Sequence, residues 1–200
     1  MPLSWFQPIF IYSLIYDIGT YLVLSYFFFY LFKIKIININ YLILSLVFLL
    51  TPFFHNDFLF DGISAFPDQS KYLSLSSQIR DNPLILFDRE FTSDYRLKVL
   101  FSSSFFAFSP ILSLETYKGI SLFNRAIFIF TLIFLSQKKF LDNLNLIVFL
   151  LAPSLMLYSS IALRDNLVII LMFWFLYFFY EKKFFSTFLI IFLLSILRLP

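Results

Sequence analysis

Isolated ionisable residues within long apolar runs are the part of this sequence most able to do chemistry. Asp17 lies in the first apolar run, Arg125 near the middle of the chain, and Arg164 and Asp165 just before a later run. A charged side chain in hydrocarbon costs about 3 kcal/mol or more, so it usually faces protein or water and often marks function. An arginine there can bind phosphate oxygens, and a carboxylate can take up a proton.

Structural explanations of the same residues stay open. Arg164 can reach lipid headgroups or pair with Asp165, and Arg125 can also extend toward headgroups. Asp17 can accept a hydrogen bond from a neighbouring helix. The only histidine, His55, has no second histidine to share a metal with and is better interpreted as an interfacial residue.

The composition predicts that these residues sit in a membrane protein. Hydrophobic residues make up 60% and charged residues 14% of the chain, and Phe occupies 32 of the 200 positions. Soluble domains carry about 25% charged residues. The mean hydropathy is +0.88. The lipid bilayer is therefore the expected environment. The net charge of +3 does not suggest nucleic acid as a partner, and the absence of cysteine excludes disulfides and thiolate metal sites.

Apolar runs and lysine clusters together predict the topology. The runs lie at 13–32, 37–54, 99–114, 120–137, 144–161, 166–180 and 184–197. Lysines near the ends of spans mark the cytoplasmic side, and the basic clusters here are Lys33/Lys35, Lys138/Lys139 and Lys182/Lys183. Placing all three inside predicts an all-α, polytopic transmembrane helical bundle with about six spans.

This topology leaves residues 55–98 as an extracytoplasmic loop. Residues 99–118 become a re-entrant or interfacial segment, broken at Ser109-Pro110. If 99–114 crosses instead, one lysine pair must face outward. The prediction is one integral membrane domain over 1–200, located in the bacterial inner membrane. Because the chain ends directly after an apolar run, further helices are expected beyond Pro200.

The helical rise per residue, counted back from the lysine clusters, places the isolated charges toward the outer side of the membrane. Arg164 precedes the Lys182 cluster by a distance of about 25 Å along a helix, and Asp17 precedes Lys33 by a similar distance. Arg198 emerges beyond the last run. Arg125 lies about 20 Å before Lys138, in the outer half of the bilayer.

The outer loop contains a predicted amphipathic helix over 68–81. Tyr72, Leu75, Ser76 and Ile79 follow the i, i+3, i+4, i+7 pattern, and Pro83 ends the helix. Such a helix is expected to lie flat at the membrane interface, with Tyr72 at headgroup level. Asp68 is either a cap of this helix or a functional acid.

Two segments carry a resemblance to a known family, "PDQSKYLSLSSQIRDNP" in the outer loop and "APSLMLYSSIALRDNLVIILMFWFLYFF" around Arg164. Together they resemble the bacterial polysaccharide polymerases of the O-antigen polymerase and EpsG-like type. The first segment is also similar to GT-C membrane glycosyltransferases, which carry an acid in their first outer loop. The resemblance implies transfer of sugar from a polyprenyl-phosphate- or polyprenyl-diphosphate-linked donor to an oligosaccharide or glycan acceptor at the outer face.

The resemblance also implies roles for individual residues. Arg164 would hold the lipid-linked donor and Asp68 would act as general base, so these two are the catalytic candidates. The substrate-binding candidates are Tyr72, Arg80, Arg125, Asp165, Arg198 and Asp17. The polymerase interpretation requires no metal or cofactor, whereas the GT-C interpretation allows a divalent metal at Asp68. The alternatives are a polytopic transporter or lipid-linked oligosaccharide flippase, and a non-catalytic membrane subunit.

Overall fold

The computed structural model describes residues 8–54, 67–112, 114, 116–161 and 164–198. Within these ranges the chain forms eleven α-helices, one 3-10 helix at Pro83–Phe87 and no strand. The all-α prediction is confirmed for this part of the chain. The α-helices are α1 (Pro8–Lys33), α2 (Ile39–Phe48), α3 (Thr51–Phe54), α4 (Pro67–Asp81), α5 (Arg89–Ser93), α6 (Leu97–Ala107), α7 (Tyr117–Gln137), α8 (Asn143–Leu151), α9 (Pro153–Ser159), α10 (Asp165–Tyr180) and α11 (Phe184–Arg198).

Every predicted apolar run contains helix, but the helices differ in length. Among the described residues, two stretches are long and apolar enough to cross a membrane, Leu14–Lys33 in α1 and Tyr117–Gln137 in α7. They are an indication of membrane association. The other apolar helices, including α10 and α11, are shorter. The polytopic arrangement of about six spans therefore stays a prediction.

Proline divides the helical structure in two of the predicted apolar runs. The run at 37–54 splits into α2 and α3 before Pro52, and the run at 144–161 splits into α8 and α9 at Pro153. Proline has no N–H to donate and disfavours helical geometry in the residue before it. Ala152, directly before Pro153, accordingly has an extended ψ of 117°. Neither run forms a single continuous helix.

Helix α7 is the centre of the bundle. In its most apolar window 78% of residues are buried within the protein, against 28% in α1. Phe128, Ile129 and Leu132 of α7 are fully buried in a core that also includes residues of α1, α2, α8 and α10. A side chain placed on almost any face of α7 therefore meets protein.

Three helices end with a lysine in the left-handed backbone conformation. Lys35 follows α1 with φ 60°, Lys139 follows α7 with φ 59°, and Lys182 follows α10 with φ 56°. The left-handed region costs an L-residue with a side chain about 1 kcal/mol, which is why glycine is usual there. Lysine takes this position at all three turns.

The hydrogen bonds at these ends form Schellman motifs. After α1, the N–H of Lys35 donates to Phe32 O and the N–H of Ile36 donates to Leu31 O, both at 2.9 Å. The ends of α7 and α10 repeat the same pair of bonds. These bonds satisfy carbonyls that would otherwise be left open at a helix C-terminus. A new helix, α2, α8 or α11, then begins within a few residues.

The three lysine turns meet at one end of the bundle, called here the lysine end. The hydroxyl of Tyr41, just after the first turn, lies 3.0 Å from Ser136 Oγ and donates to Asn143 Oδ1 at 2.8 Å, both at the second turn. Phe140 of the second turn packs against Tyr180 at the end of α10, with ring centroids 5.6 Å apart. Which side of a membrane this end faces stays a prediction.

The amphipathic helix predicted over 68–81 forms as α4, but its apolar stripe faces protein. Tyr72, Leu75 and Ile79 are buried, and they pack with residues of α6. The Tyr72 ring lies edge-on to Phe106 of α6 at 6.3 Å between centroids. The expectation that Tyr72 lies among headgroups is therefore wrong, because α6 supplies the apolar surface that the stripe covers. The orientation of α4 relative to a membrane stays a prediction.

Helix α6 occupies part of the predicted re-entrant segment at 99–118. Its 11 residues span about 16 Å, roughly half of a hydrocarbon core. Ser109 and Pro110 lie outside helix, and α7 begins at Tyr117. A short helix followed by a turn is compatible with a re-entrant segment, which stays a prediction.

Candidate functional site

Arg125 is completely buried and holds three groups from separate parts of the chain. Its exposed fraction is 0%. Nε donates to Phe48 O at 3.2 Å, Nη1 to Ser159 Oγ at 2.6 Å, and Nη2 to Leu150 O at 3.2 Å. The planar guanidinium thus joins α2, α8 and α9 around the central helix α7. Its donors serve the fold, and extension to headgroups is excluded by its burial.

The carbonyls that Arg125 reaches are available because the helices break. Phe48 lies four residues before Pro52, so its carbonyl lacks the helical N–H that it would normally accept. Thr51 Oγ1 donates to the same carbonyl at 2.8 Å. Leu150 lies at the end of α8, which stops before Pro153. Both carbonyls carry the negative end of a helix dipole, which favours a cation beside them.

Aromatic rings enclose the same guanidinium. Its central carbon lies 5.5 Å from the Phe48 ring centroid and 5.7 Å from that of Phe128. A cation over an aromatic face is stabilised by the negative charge density of the ring. Arg125 is therefore held by hydrogen bonds and ring faces together.

Two asparagines continue the buried polar contacts toward the start of α10. Asn124 Nδ2 donates to Ile161 O, and Asn166 Nδ2 donates to the backbone O of Asn124, each at 2.9 Å. Thr51 Oγ1 lies 3.0 Å from Ser160 Oγ. We call this set the arginine layer. Its members are Thr51, Asn124, Arg125, Ser159, Ser160 and Asn166.

Sequence reasoning found only Arg125 of the arginine layer as a candidate. Asn124 and Asn166 stand in apolar runs, and buried amides need hydrogen-bond partners, so they carried a usable signal. The prolines at 52 and 153 carried another, because each predicts an unpaired carbonyl nearby. The two prolines are about a hundred residues apart, so only the fold shows that the carbonyls near both of them meet at Arg125.

Arg164 differs from Arg125 in both its burial and its side-chain contacts. It is the N-cap residue of α10, and its backbone carbonyl accepts from Leu167 N at 2.8 Å. Its side chain is half-buried and makes no hydrogen bond or ion pair with any residue that the structure describes. Asp165 beside it is exposed, and the two described side chains do not pair. The alternative of an Arg164–Asp165 ion pair is therefore not realised.

An apolar cavity begins one turn below Arg164. It has a volume of about 300 Å³ and is lined by α6, α7, α10 and α11. Leu167 and Leu171 of α10 line it, and they follow Arg164 at i+3 and i+7, on the same side of the helix. Leu197 of α11 lines the same cavity. We call this cavity the α10–α11 groove.

Arg198 is the last residue of α11, directly after Leu197. The antiparallel packing of α10 and α11 brings its backbone to the same end of the hairpin as Arg164. The side chain of Arg198 lies outside the described part of the structure. The same holds for the side chain of Asp68, whose backbone lies in the first turn of α4.

Asp17 is buried, with 2% exposure, and accepts a hydrogen bond from Thr116 Oγ1. One turn on, Thr20 Oγ1 accepts from Leu112 N at 3.2 Å. A Cβ added to Gly19 would lie 2.6 Å from Leu112 Cδ1, so this close approach requires glycine or a shift of the leucine. The contacts of Asp17 fasten the segment before α7 to α1, which agrees with the structural explanation of this residue.

Arg80 caps the end of α6. Nε donates to Ala107 O at 2.9 Å, Nη1 to Ile111 O at 2.7 Å, and Nη2 to Ser109 O at 3.0 Å. Partial burial lowers the pKa of the Arg80 guanidinium, and the adjacent Asp81 carboxylate opposes that shift. A guanidinium committed to backbone carbonyls is not available for a substrate phosphate, so the interpretation of Arg80 as part of a phosphate clamp loses its support.

The predicted site residues whose side chains the structure describes thus separate into two groups. Arg80, Arg125, Asp17 and Tyr72 are engaged in the fold, whereas Arg164 and Asp165 remain open to a ligand. In the part of the chain that the structure describes, no group of three or more His, Asp or Glu residues could hold a metal ion.

No protein-family model, curated protein or solved structure matches this chain.

Proposed function

We propose that the chain is a polytopic membrane protein that transfers a sugar from a polyprenyl-phosphate- or polyprenyl-diphosphate-linked donor to a glycan acceptor. The observation that carries the proposal is the position of Arg164 at the end of the α10–α11 groove, half-buried and without a described partner. A guanidinium at the end of an apolar groove suits a lipid with a phosphate head, because it can donate two parallel hydrogen bonds to phosphate oxygens while the groove contacts the hydrocarbon.

Membrane insertion is supported by the surface of the helices. Large apolar side chains are exposed on α10 and α11, including Phe179 at 64%, Phe185 at 83% and Phe188 at 69%. Exposed apolar surface of this extent fits contact with lipid. Helix α10, with 16 residues, is about 24 Å long, which a tilted or locally thinned bilayer accommodates.

The orientation follows from the lysine end. Lysines favour the cytoplasmic side, so the opposite end of α10, where Arg164 stands, would face outward in a bacterial inner membrane. A polyprenyl-linked sugar presents its phosphate at that surface. Asp68, which opens α4, is the candidate general base for the acceptor hydroxyl, because a carboxylate within reach can take its proton.

The test is polymer or glycoconjugate formation by Arg164→Ala and Arg164→Lys in a strain that depends on this chain. Both variants should reach the membrane at wild-type levels. Arg164→Ala should abolish product, and Arg164→Lys should leave partial activity, since lysine keeps the charge and loses the fork. Arg89→Ala, an exposed arginine in α5, is the matched control and should keep activity. Normal product from Arg164→Ala would contradict the proposal.

A transporter or flippase is the second candidate, and the two proline-broken helices favour it. Transporters place discontinuous helices around a central site. Because the chain has no cysteine, a single cysteine at position 164 can be labelled without background. Labelling from the outer side alone supports the transferase, and labelling from both sides supports alternating access.

A further inference from the structure

The turn between α1 and α2 differs from the other two lysine turns in leaving both of its ammonium groups without a contact, whereas each of the others places one lysine over an aromatic ring. Lys138 lies over the Phe134 ring at 5.5 Å, and Lys183 lies over the Tyr177 ring at 5.7 Å. Lys33 and Lys35 are exposed and make no hydrogen bond, ion pair or ring contact through their side chains with any described residue. Two cations are therefore available at one place on the lysine end.

A wide groove of about 880 Å³ lies beside these two lysines. Its polar lining consists of Lys33, Lys35, Asn38, Tyr41 and Gln137, and no acidic residue takes part. Gln137 reaches across from α7 to donate to the backbone O of Ile36, which fixes one wall of the groove to the bundle core. A positively charged recess whose lining contains no acid attracts an anion.

Exposed isoleucines alternate with the lysines in this turn. Ile34 is 44% exposed and Ile36 is 46% exposed. A site for a free phosphate ion gains nothing from exposed apolar side chains. A lipid provides both partners, because its acyl chains contact isoleucine while its phosphate meets lysine.

We propose that Lys33 and Lys35 form a binding site for the phosphate of an anionic membrane phospholipid, seated in this groove at the lysine end. The site is separate from Arg164, which stands at the other end of the bundle, and it does not depend on the transferase proposal. Ile34 and Ile36 enter the acyl layer on either side of the headgroup. The contribution of the ammonium groups is electrostatic and therefore weakens as salt is added.

The experiment uses the full chain purified in a neutral detergent. Phosphatidylglycerol, phosphatidylcholine and inorganic phosphate are added separately, and bound lipid and thermal midpoint are measured. Phosphatidylglycerol should bind and raise the midpoint, while phosphatidylcholine and inorganic phosphate should have little effect. Equal binding of phosphatidylcholine, or an equal shift from inorganic phosphate, would overturn the assignment to an anionic lipid.

The variants locate the site. Lys33→Gln/Lys35→Gln should bind phosphatidylglycerol about 30-fold more weakly, as expected for the loss of two lysines at a membrane surface. Lys182→Gln/Lys183→Gln removes the same charge from another turn and should bind nearly as the wild type does. Equal weakening of phosphatidylglycerol binding in both double variants would mean that binding depends only on net charge, and would overturn the proposed site.

Lys35→Gly separates binding from folding. Glycine adopts the left-handed conformation of position 35 without strain, so this variant should keep or raise the thermal midpoint in the absence of lipid. Combined with Lys33→Gln it should show the same loss of phosphatidylglycerol binding as the glutamine pair. Retained binding in this well-folded variant would also overturn the proposal.

Discussion

The arginine layer and the start of α10 place an arginine in opposite circumstances. In the layer, Arg125 has 0% exposure and three protein acceptors. Arg164 is half-buried and has no described acceptor. Both residues look alike in the sequence, each an isolated cation beside apolar runs. The difference shows that an arginine in such a chain can be judged as a functional candidate only when its protein acceptors are known. An arginine already bound to backbone carbonyls is not available to a ligand.

The contrast arises from the helices around each arginine. Arg125 lies on α7, the helix most enclosed by others, and it faces two helix ends opened by proline. Arg164 precedes a helix, at a position where the free backbone groups are N–H donors. An arginine cannot satisfy donors, so its own hydrogen-bonding capacity remains for another molecule.

The largest expected effect comes from removing the buried arginine. Arg125→Ala leaves Leu150 O and Ser159 Oγ without the donor that Arg125 supplies, leaves Phe48 O with Thr51 Oγ1 as its donor, and opens a cavity in the core. Each unsatisfied buried group costs about 1–3 kcal/mol, so the variant should lose about 4 kcal/mol or more and fail to accumulate as folded protein. Denaturant unfolding in detergent, or membrane yield if the variant cannot be purified, measures this. Wild-type stability of Arg125→Ala would contradict the conclusion that Arg125 serves the fold and Arg164 does not.

The two serines of the layer offer an internal comparison. Ser159 accepts from the charged Arg125, whereas Ser160 contacts the neutral Thr51. Hydrogen bonds to charged groups contribute about 1.5–3 kcal/mol and neutral ones about 1 kcal/mol. Ser159→Ala should therefore lower the free energy of unfolding more than Ser160→Ala does. The reverse order, measured by denaturant titration, would mean that the guanidinium contact contributes little.

The smallest expected change in stability belongs to Arg164. Because its side chain contacts no described acceptor, Arg164→Ala should shift the free energy of unfolding by less than about 0.5 kcal/mol. The same denaturant titration measures it, beside the activity assay. A loss approaching that of Arg125→Ala would show that Arg164 also serves the fold, and an activity defect could then not be assigned to substrate binding.

Much of the helix order follows from the sequence, because each apolar run contains helix and the lysine clusters lie where α1, α7 and α10 end, while the breaks at Pro52 and Pro153 were not predicted. Helix α4 appears where the spacing of Tyr72, Leu75 and Ile79 places it. Its partner could not be foreseen, since an apolar stripe fits a lipid surface and a neighbouring helix equally well. Only the packing of α6 against α4 decides between them.

The site was predicted less completely than the helices. Arg80 and Asp17 appeared as site residues because both are charges in a sparsely charged chain. Their partners are Ala107 O and Thr116, which are 27 and 99 residues away in sequence. Such pairings depend on tertiary contacts that residue types and local spacing do not encode. Arg164 kept its standing as a candidate because the fold brought no such partner to it.

The position of Arg125 has a consequence for biogenesis. Its acceptors Leu150 and Ser159 follow it by 25 and 34 residues, so they are synthesised after Arg125 itself. In a chain that enters a bilayer during translation, α7 would carry a charge whose downstream partners are synthesised about 1–7 seconds later. Helix α7 would then become stable in lipid only when α8 and α9 emerge and supply the acceptors of Arg125. The emergence of these two helices would therefore be the step at which the bundle assembles.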